Sequence, residues 1–234
     1  MSAQAITTTP KSGKILFVIT SHSKVGNTGK DTGYYLSEVA HPWAVLTKAG
    51  FTMDYVSPKG GQSTVDGFDL EDTTNAAFWN NAAERAKIEA SKKPSEVNPA
   101  DYEAIFFAGG HGTMWDFPEN QELAAITRNI YEQGGIVSAV CHGPAGLVNV
   151  RLSNGEFLVA GKRVNSFTDD EERAVALENV VPFMLQTTLQ ERGAIFEHSG
   201  LFEPHVTVDQ RLVTGQNPQS ATAVGEAIVR LLRP

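Results

Sequence analysis

The chain has 234 residues, of which 41% are hydrophobic, and this is enough to bury the core of one elaborated domain. Its 27 acidic and 19 basic residues give a net charge of −8, and no basic cluster is larger than the pair Lys92 and Lys93. These values exclude a mainly disordered chain, and we expect no nucleic-acid partner. No run of about 18 apolar residues is present and residues 1–12 lack a signal-peptide pattern, so we expect no membrane partner and a cytoplasmic location.

Four apolar segments predict buried parallel strands. They are Ile15 to Ile19, Phe51 to Val56, Tyr102 to Ala108 and Ile136 to Cys141. Unbroken runs of β-branched and aromatic residues are typical of strands that are covered on both faces. Residues 1–12, which show no periodicity, are predicted to form a flexible N-terminal arm.

Helical patterns alternate with these strands. The predicted helices are Tyr34 to Ala49, Asn120 to Gln133, Pro144 to Val150, Glu171 to Leu177, Pro182 to Arg192 and Ser220 to Leu232. A hairpin is predicted over Val206 to Thr214. The alternation predicts an α/β fold, a doubly wound parallel sheet sandwich, in a single domain over residues 13–234. Residues 58–101 interrupt it with one predicted short helix, Ala82 to Ala90, and we interpret them as an inserted lid segment near the sheet edge.

The only cysteine follows the fourth predicted strand, in the segment Ala139-Val140-Cys141-His142-Gly143-Pro144. This pattern predicts a nucleophile elbow, a tight turn that holds Cys141 at the C-terminal edge of the sheet. The start of the next helix would there lower the pKa of the thiol, and backbone N–H groups could hold an oxyanion. The alternative is an ordinary buried core cysteine.

A glycine-rich segment, Gly109-Gly110-His111-Gly112, follows the third predicted strand. Glycine lets the backbone approach a ligand, so Gly110 could offer its N–H group to the Cys141 pocket; the alternative is a turn that merely requires glycine. The segment is not a dinucleotide-binding fingerprint, and the six histidines lack metal-ligand spacing on any predicted helix. We therefore predict neither a cofactor nor a metal.

Acidic residues occur in two notable places. Glu38 lies among apolar neighbours, where burial would raise its pKa and let it exchange a proton with a sulfur atom; the alternative is an exposed helix acid. The run Asp169-Asp170-Glu171-Glu172 is predicted to be mostly a solvated helix start. One of its members could orient an imidazole, and the sequence leaves open which one.

The chain resembles the DJ-1/PfpI superfamily of the class I glutamine amidotransferase-like fold, and within it the Hsp31-like glyoxalase III branch. The resemblance covers about residues 13–232. It rests on the motifs Glu38-Val39-Ala40-His41-Pro42, Gly109-Gly110-His111-Gly112-Thr113, Ala139-Val140-Cys141-His142-Gly143-Pro144, Phe167-Thr168-Asp169 and Leu212-Val213-Thr214-Gly215-Gln216-Asn217-Pro218. It implies a flavodoxin-like sandwich that forms a homodimer.

The resemblance also implies roles for individual residues. Cys141 would be the nucleophile, His142 its neighbouring base, Glu172 the acid partner of that histidine and Glu38 the carboxyl under the sulfur. The backbone N–H groups of Gly110 and His142 would form the oxyanion hole, with His111 in the substrate-binding loop. Some relatives hold zinc beside this pocket, but we find no matching ligands in the sequence.

The implied activity is that of a glutathione-independent glyoxalase. It would convert methylglyoxal or a related 2-oxoaldehyde to a 2-hydroxy acid such as lactate through a hemithioacetal on Cys141, without a cofactor. Whether His142 or Glu38 moves the carbon-bound proton stays open. One alternative is a holdase chaperone for misfolded proteins, or a redox sensor whose Cys141 sulfinate is held by Glu38. Another is a thiol amidase or peptidase that uses His198 or His205.

Overall fold

The computed structural model describes residues 13–233 of the chain, and the predicted arm at residues 1–12 lies outside them. The strands are β1 Lys14–Val18, β2 Tyr34–Tyr35, β3 Thr52–Val56, β4 Val65–Asp66, β5 Ala104–Phe107, β6 Ile136–Val140, β7 Arg163–Val164, β8 Ile195–Phe196, β9 Val206–Asp209 and β10 Leu212–Gly215. The α-helices are α1 Leu36–Lys48, α2 Thr73–Asn80, α3 Ala82–Glu89, α4 Thr113–Asp116, α5 Gln121–Glu132, α6 Asp169–Ala174, α7 Leu185–Glu191 and α8 Ala221–Leu232. Within residues 13–233, every helix is too short or too polar to cross a lipid bilayer.

The central sheet has the strand order β3-β1-β5-β6-β10-β9. The first five strands are parallel, and β9 pairs antiparallel with β10 at one edge. This order, in which the second parallel strand lies outside the first, is that of a flavodoxin-like doubly wound sheet. The predicted fold class is confirmed, and β1, β3, β5 and β6 fall within the four segments predicted as strands or one residue beyond them.

Two hydrophobic cores lie on the two faces of this sheet. Alternate residues of β1 point to opposite faces: Ile15 and Phe17 enter the core under α1 and α8, whereas Leu16 and Val18 enter the core under α5 and α7. All four of these side chains are fully buried. Burial of both faces explains why the strands are apolar without interruption.

The segment after β6 differs from its prediction. We expected a helix over Pro144 to Val150, but only a 3₁₀ turn forms, at Gly143–Gly146. Glycine has a low intrinsic helix propensity, and the segment packs tightly against β5. A Cβ atom at position 143 would lie 2.2 Å from the carbonyl oxygen of Phe107, and one at Gly146 would lie 2.6 Å from the Phe107 ring. Close packing against Phe107 therefore favours a 3₁₀ turn over an α-helix in this segment.

The segment at residues 58–101 contains two α-helices where one was predicted. The side chains of Asp72 and Asn81 cap α2 and α3 by accepting hydrogen bonds from backbone N–H groups in each first turn. The segment adjoins the edge strand β3, because Lys92 donates to Tyr55 O at 2.8 Å and accepts from Ser57 N–H at 3.0 Å. Its position near the sheet edge agrees with the sequence, and its action as a lid stays a prediction.

Candidate active site

The ends of β5 and β6 bring two loops together at the C-terminal edge of the sheet, because these strands are parallel neighbours. Cys141 follows β6 and has a φ of +58°, which is strained for a residue with a side chain. Its N–H group donates to Gly215 O at 2.9 Å, and its carbonyl accepts from Phe167 N–H at 2.8 Å. Sheet and loop hydrogen bonds thus hold the strained turn that the sequence predicts.

The loop after β5 has no room for a Cβ atom at three glycines, one of which is Gly112, where it would lie 2.6 Å from His22 O. A Cβ atom on Gly109 would lie 2.5 Å from Oε2 of Glu38, and one on Gly110 would lie 2.0 Å from Gly33 O. Gly110 also has a φ of +102°. The hydroxyl of Thr113 lies 2.9 Å from Gly110 O and 3.0 Å from His142 O, so it can donate to either and links the two loops.

Glu38 lies in the first turn of α1 and is fully buried. Its Oε2 accepts a hydrogen bond of 2.6 Å from Gly109 N–H, and its carboxyl interacts with the thiol of Cys141. Burial raises the pKa of Glu38 to about 8, although these hydrogen bonds favour its charged form. Glu38 is therefore mainly a neutral acid near pH 7, in agreement with the prediction from its apolar neighbours.

One carboxylate, that of Glu172, connects two imidazoles. Its Oε2 lies 2.7 Å from Nε2 of His142, and its Oε1 lies 2.9 Å from Nε2 of His111. Although burial opposes it, the hydrogen bonds from His111 and His142 lower the pKa of Glu172 to about 2. Because an ionised carboxylate can only accept, each Nε2 carries its proton. Nδ1 of His142 is then left as an acceptor, 3.3 Å from Sγ of Cys141.

The surroundings of the thiol change one expectation. Burial raises the pKa of the Cys141 thiol, and the neighbouring Glu38 carboxyl raises it further. The lowered thiol pKa that the sequence suggested is therefore wrong, because desolvation outweighs the backbone N–H of His142, which favours the thiolate. Burial and His111 also lower the pKa of His142, so its imidazole is neutral near pH 7. A neutral Glu38 removes the charge repulsion and can donate a hydrogen bond to the thiolate.

The acidic run is more buried than expected. Asp169, Glu171 and Glu172 are buried and only Asp170 is exposed, so the prediction of a solvated helix start is wrong. Glu171 forms a capping box with Thr168 at the start of α6. Its other oxygen accepts hydrogen bonds from Phe202 N–H and from the side chains of Gln216 and Asn217. Both oxygens of this buried carboxyl therefore have hydrogen-bond donors.

An aromatic wall flanks the imidazole of His142. The ring of Phe167 lies 4.4 Å from the His142 ring, centroid to centroid, and the ring of Phe202 lies 6.2 Å from Phe167. Phe202 is 40% exposed and has a φ of +57°. Because Glu171 binds the N–H group of Phe202, the buried acid positions this wall.

Residues 31–231 match the pattern of the DJ-1/PfpI family. The chain belongs to the DJ-1/PfpI family. It is 32% identical to Glyoxalase 3 of Candida albicans, over 92% of this chain and 97% of that protein. It is 34% identical to the glutathione-independent glyoxalase HSP31 of Saccharomyces cerevisiae, over 89% of this chain and 93% of that protein.

Two solved structures have the same fold over almost the whole DJ-1/PfpI chain. The Rapid Encystment Protein 24 kDa of Francisella tularensis superposes with a TM-score of 0.91 at 38% identity, covering 94% of this chain and 99% of that one. Glyoxalase III of Candida albicans superposes with a TM-score of 0.85 at 31% identity, covering 93% and 96%. The resemblance noted from the sequence motifs is confirmed.

The residues that the sequence singled out meet at one place in this DJ-1/PfpI protein. Side-chain hydrogen bonds join five of them: Cys141, His142, Glu38, Glu172 and His111. Gly110 is linked to His142 through the hydroxyl of Thr113. His198 and His205 instead hydrogen-bond to Ser199. Sequence reasoning missed the functions of Thr113 and Glu171, and only the pattern Thr168-x-x-Glu171 was a local signal, for a capping box.

A metal ion would find one suitable group of ligands among residues 13–233. Nitrogen atoms of His111 and His142 and an oxygen of Glu172 all lie within 4.8 Å of one another. The sequence did not predict this group, because its members come from two loops and from the helix α6, which are far apart in the chain. Direct N–H to carboxylate hydrogen bonds account for the observed spacing, and a metal would have to displace both of them.

Proposed function

We propose that this protein is a glutathione-independent glyoxalase that converts methylglyoxal, or a related 2-oxoaldehyde, to the corresponding 2-hydroxy acid. One observation carries the proposal: the thiol of Cys141 lies between a neutral carboxyl, Glu38, and an imidazole nitrogen of His142 that is free to accept a proton. The relatives that are named glyoxalases match this chain over about nine-tenths of its length.

The first step forms a hemithioacetal. Nδ1 of His142 takes the thiol proton while Sγ of Cys141 attacks the aldehyde carbon, C1, and the proton passes to the aldehyde oxygen. The N–H groups of Gly110 and His142 support the developing negative charge on that oxygen. Glu172 keeps its negative charge throughout, which fixes the tautomer of His142 and stabilises the imidazolium that forms transiently.

The second step moves hydrogen from C1 to C2. His142 removes the C1 proton while Glu38 donates its proton to the C2 carbonyl oxygen, which gives an enediol. His142 then returns a proton to C2, and Glu38 takes the proton of the C1 hydroxyl, which leaves a thioester. His142 thus handles carbon-bound protons and Glu38 oxygen-bound ones. We propose this assignment for the carbon-bound proton, which the sequence left open between His142 and Glu38.

Hydrolysis completes the cycle. Water attacks the thioester carbon, releases the 2-hydroxy acid and restores the thiol. The aldehyde carbon is oxidised and the ketone carbon is reduced by the same hydrogen transfer, so the reaction requires no external redox cofactor. The net change adds one water to methylglyoxal and gives lactate, and the reverse is a dehydration of lactate. We therefore assign the activity to the lyases.

The test is turnover of methylglyoxal by the purified chain without glutathione, with lactate measured as the product. We expect Cys141→Ser to lower kcat/KM by at least about three orders of magnitude, because Cys141 is the only thiol and serine is a far weaker nucleophile at neutral pH. Circular dichroism of the same preparations checks that the fold is kept. Turnover that survives in Cys141→Ser, or wild-type protein that forms no lactate, would refute the proposal.

The rival functions receive less support. A thiol amidase that uses a distant histidine is disfavoured, because Nδ1 of the adjacent His142 already faces the sulfur. A holdase needs a broad apolar surface, yet only two exposed large hydrophobic side chains of the described residues, Phe68 and Leu70, lie between residues 58 and 101. Association into a homodimer and a location in the cytoplasm stay predictions.

A further inference from the structure

A cavity of about 850 Å³ opens beside α5 and shares no lining residue with the thiol site. Arg128 of α5 lines it, together with Arg151 and Arg192. The chain has only nine arginines and a net charge of −8. Three guanidinium groups in one cleft therefore make a positive region on a negatively charged protein. We call this cavity the arginine cleft.

Two of these arginines stack on the same aromatic ring. Cζ of Arg151 lies 3.8 Å from the centroid of the Phe157 ring, and Cζ of Arg192 lies 5.0 Å from it. Stacking restricts a guanidinium group but leaves its N–H edge available to an acceptor. Arg151 uses one nitrogen on Gly155 O at 2.7 Å, and Arg192 binds Oδ1 of Asn149 at 3.2 and 3.4 Å. Each guanidinium therefore retains unused donors.

Acidic side chains of the described residues compensate part of the positive charge of the cleft but form no salt bridge to its arginines. Glu119, the only carboxylate among its lining residues, accepts a hydrogen bond from Nδ2 of Asn149 at 3.0 Å. Glu132, one helical turn after Arg128, binds the N–H and hydroxyl groups of Ser153 at 2.6 Å each. The Ser153 hydrogen bonds, and then the charge of Arg128, lower the pKa of Glu132, so Arg128 and Glu132 attract each other. Within residues 13–233, half-buried Arg128 makes no hydrogen bond or salt bridge, so its N–H groups stay available to a ligand.

We propose that the arginine cleft binds the phosphate group of a small phosphorylated molecule. A phosphate monoester carries about two negative charges near pH 7 and three strong acceptor oxygens, which suits several arginine forks at once. With Glu119 in the lining, the three arginines leave an excess of two positive charges, which a phosphate monoester matches and a single carboxylate does not. The volume lies within the usual range of small-molecule sites. The proposal is independent of the chemistry at Cys141.

Isothermal titration of the full chain with inorganic phosphate tests this proposal, with chloride at equal ionic strength as the baseline. We expect saturable binding that Arg128→Gln and Arg192→Gln each weaken at least about tenfold, the change expected when one charge-assisted hydrogen bond is lost. Arg85→Gln is the matched control, because Arg85 also lies over an aromatic ring, 5.8 Å from the Trp79 centroid, but outside the cleft. It should bind phosphate as the wild type does.

Three results would overturn the proposal. They are an absence of saturable phosphate binding to the wild type, equal weakening by Arg85→Gln, and tighter binding of citrate than of phosphate, which would indicate a polycarboxylate site instead. The wild-type titrations with phosphate and citrate decide the matter even if an arginine variant fails to fold.

Discussion

Two buried glutamates beside the thiol and imidazole have opposite protonation states. Glu38 receives one backbone hydrogen bond in an apolar pocket, and burial raises its pKa to about 8. Glu172 is also buried, but hydrogen bonds from two imidazoles lower its pKa to about 2. The same residue type thus provides a neutral acid on the sulfur side and a fixed anion on the imidazole side. The donors around each carboxyl decide its role.

The two glutamates also affect stability in opposite directions. Because the pKa of Glu38 is raised from 4.5 to about 8 on folding, its contribution is fully present below pH 4.5 and is lost as the pH rises toward 8. The pKa of Glu172 falls from 4.5 to about 2, so its contribution is present above pH 4.5 and is lost as the pH falls toward 2. At neutral pH, Glu38 costs stability and Glu172 adds it.

Of the substitutions at these two glutamates, Glu38→Gln should cause the largest loss of activity. Glutamine keeps the neutral charge and the acceptor for Gly109 N–H but cannot exchange a proton, so we expect kcat to fall by about 10²- to 10⁴-fold. In the wild type, kcat should also decline as the pH passes about 8, where Glu38 ionises. Stopped-flow assays across pH would show whether the variant loses this decline.

A variant that retains both its turnover and the alkaline decline would show that Glu38 transfers no proton. Glu84→Gln is a suitable control, because Glu84 also belongs to a helix and accepts a hydrogen bond, from the Tyr55 hydroxyl, outside the thiol site. It should leave kcat unchanged.

A smaller loss, of roughly 10- to 100-fold in kcat/KM, is expected for Glu172→Gln. The glutamine oxygen can still accept from Nε2 of His142, while its amide group faces the less buried His111, which can change tautomer. The variant therefore loses the charge that stabilises the imidazolium but keeps the orientation of His142. Nitrogen NMR of the histidines would check the tautomer, and a change at His142 would contradict this account.

The smallest effect concerns thermal stability. At pH 7 the melting temperature of Glu38→Gln should rise, and that of Glu172→Gln should fall, each by roughly 5 °C, because the pKa shifts correspond to at most a few kcal/mol. Scanning calorimetry at pH 7 and at about pH 4 tests the sign. Near pH 4 the rise in the melting temperature of Glu38→Gln should be smaller. Melting temperatures that shift in the same direction in both variants at pH 7 would show that the two carboxyls do not have opposite effects on stability.

Local patterns were sufficient to predict much of the fold. The unbroken apolar strands and the stop at Gly134 after α5 depend on neighbours in the chain, and the structure reproduces them. The helix predicted at Pro144 to Val150 failed because Phe107, distant in sequence, leaves room only for a tight turn of glycines. The additional helix α2 was missed because its first turn, Thr73-Thr74-Asn75, consists of residues with a low intrinsic helix propensity.

Some properties of the candidate site could likewise be predicted from local sequence, and others could not. The small residues around Cys141 indicated an elbow, and the apolar neighbours of Glu38 indicated a raised pKa. The predicted pKa of the thiol was wrong, because a 3₁₀ turn follows Cys141 in place of the expected helix, and the local pattern shows neither the burial of Cys141 nor the carboxyl beside it. The run from Asp169 to Glu172 could not reveal which acid meets an imidazole, since that depends on how α6 packs against the two loops.

By itself, the sequence determined the α/β architecture, the motifs of the DJ-1/PfpI family and the edge of the sheet where the chemistry lies, because strand periodicity and turn residues are local properties. Only the tertiary structure decided that His111 and His142 share Glu172, that Glu171 is a buried anchor and that three arginines line one cleft. These arrangements join residues far apart in the chain, and their protonation depends on burial and on donors that only the packed chain provides.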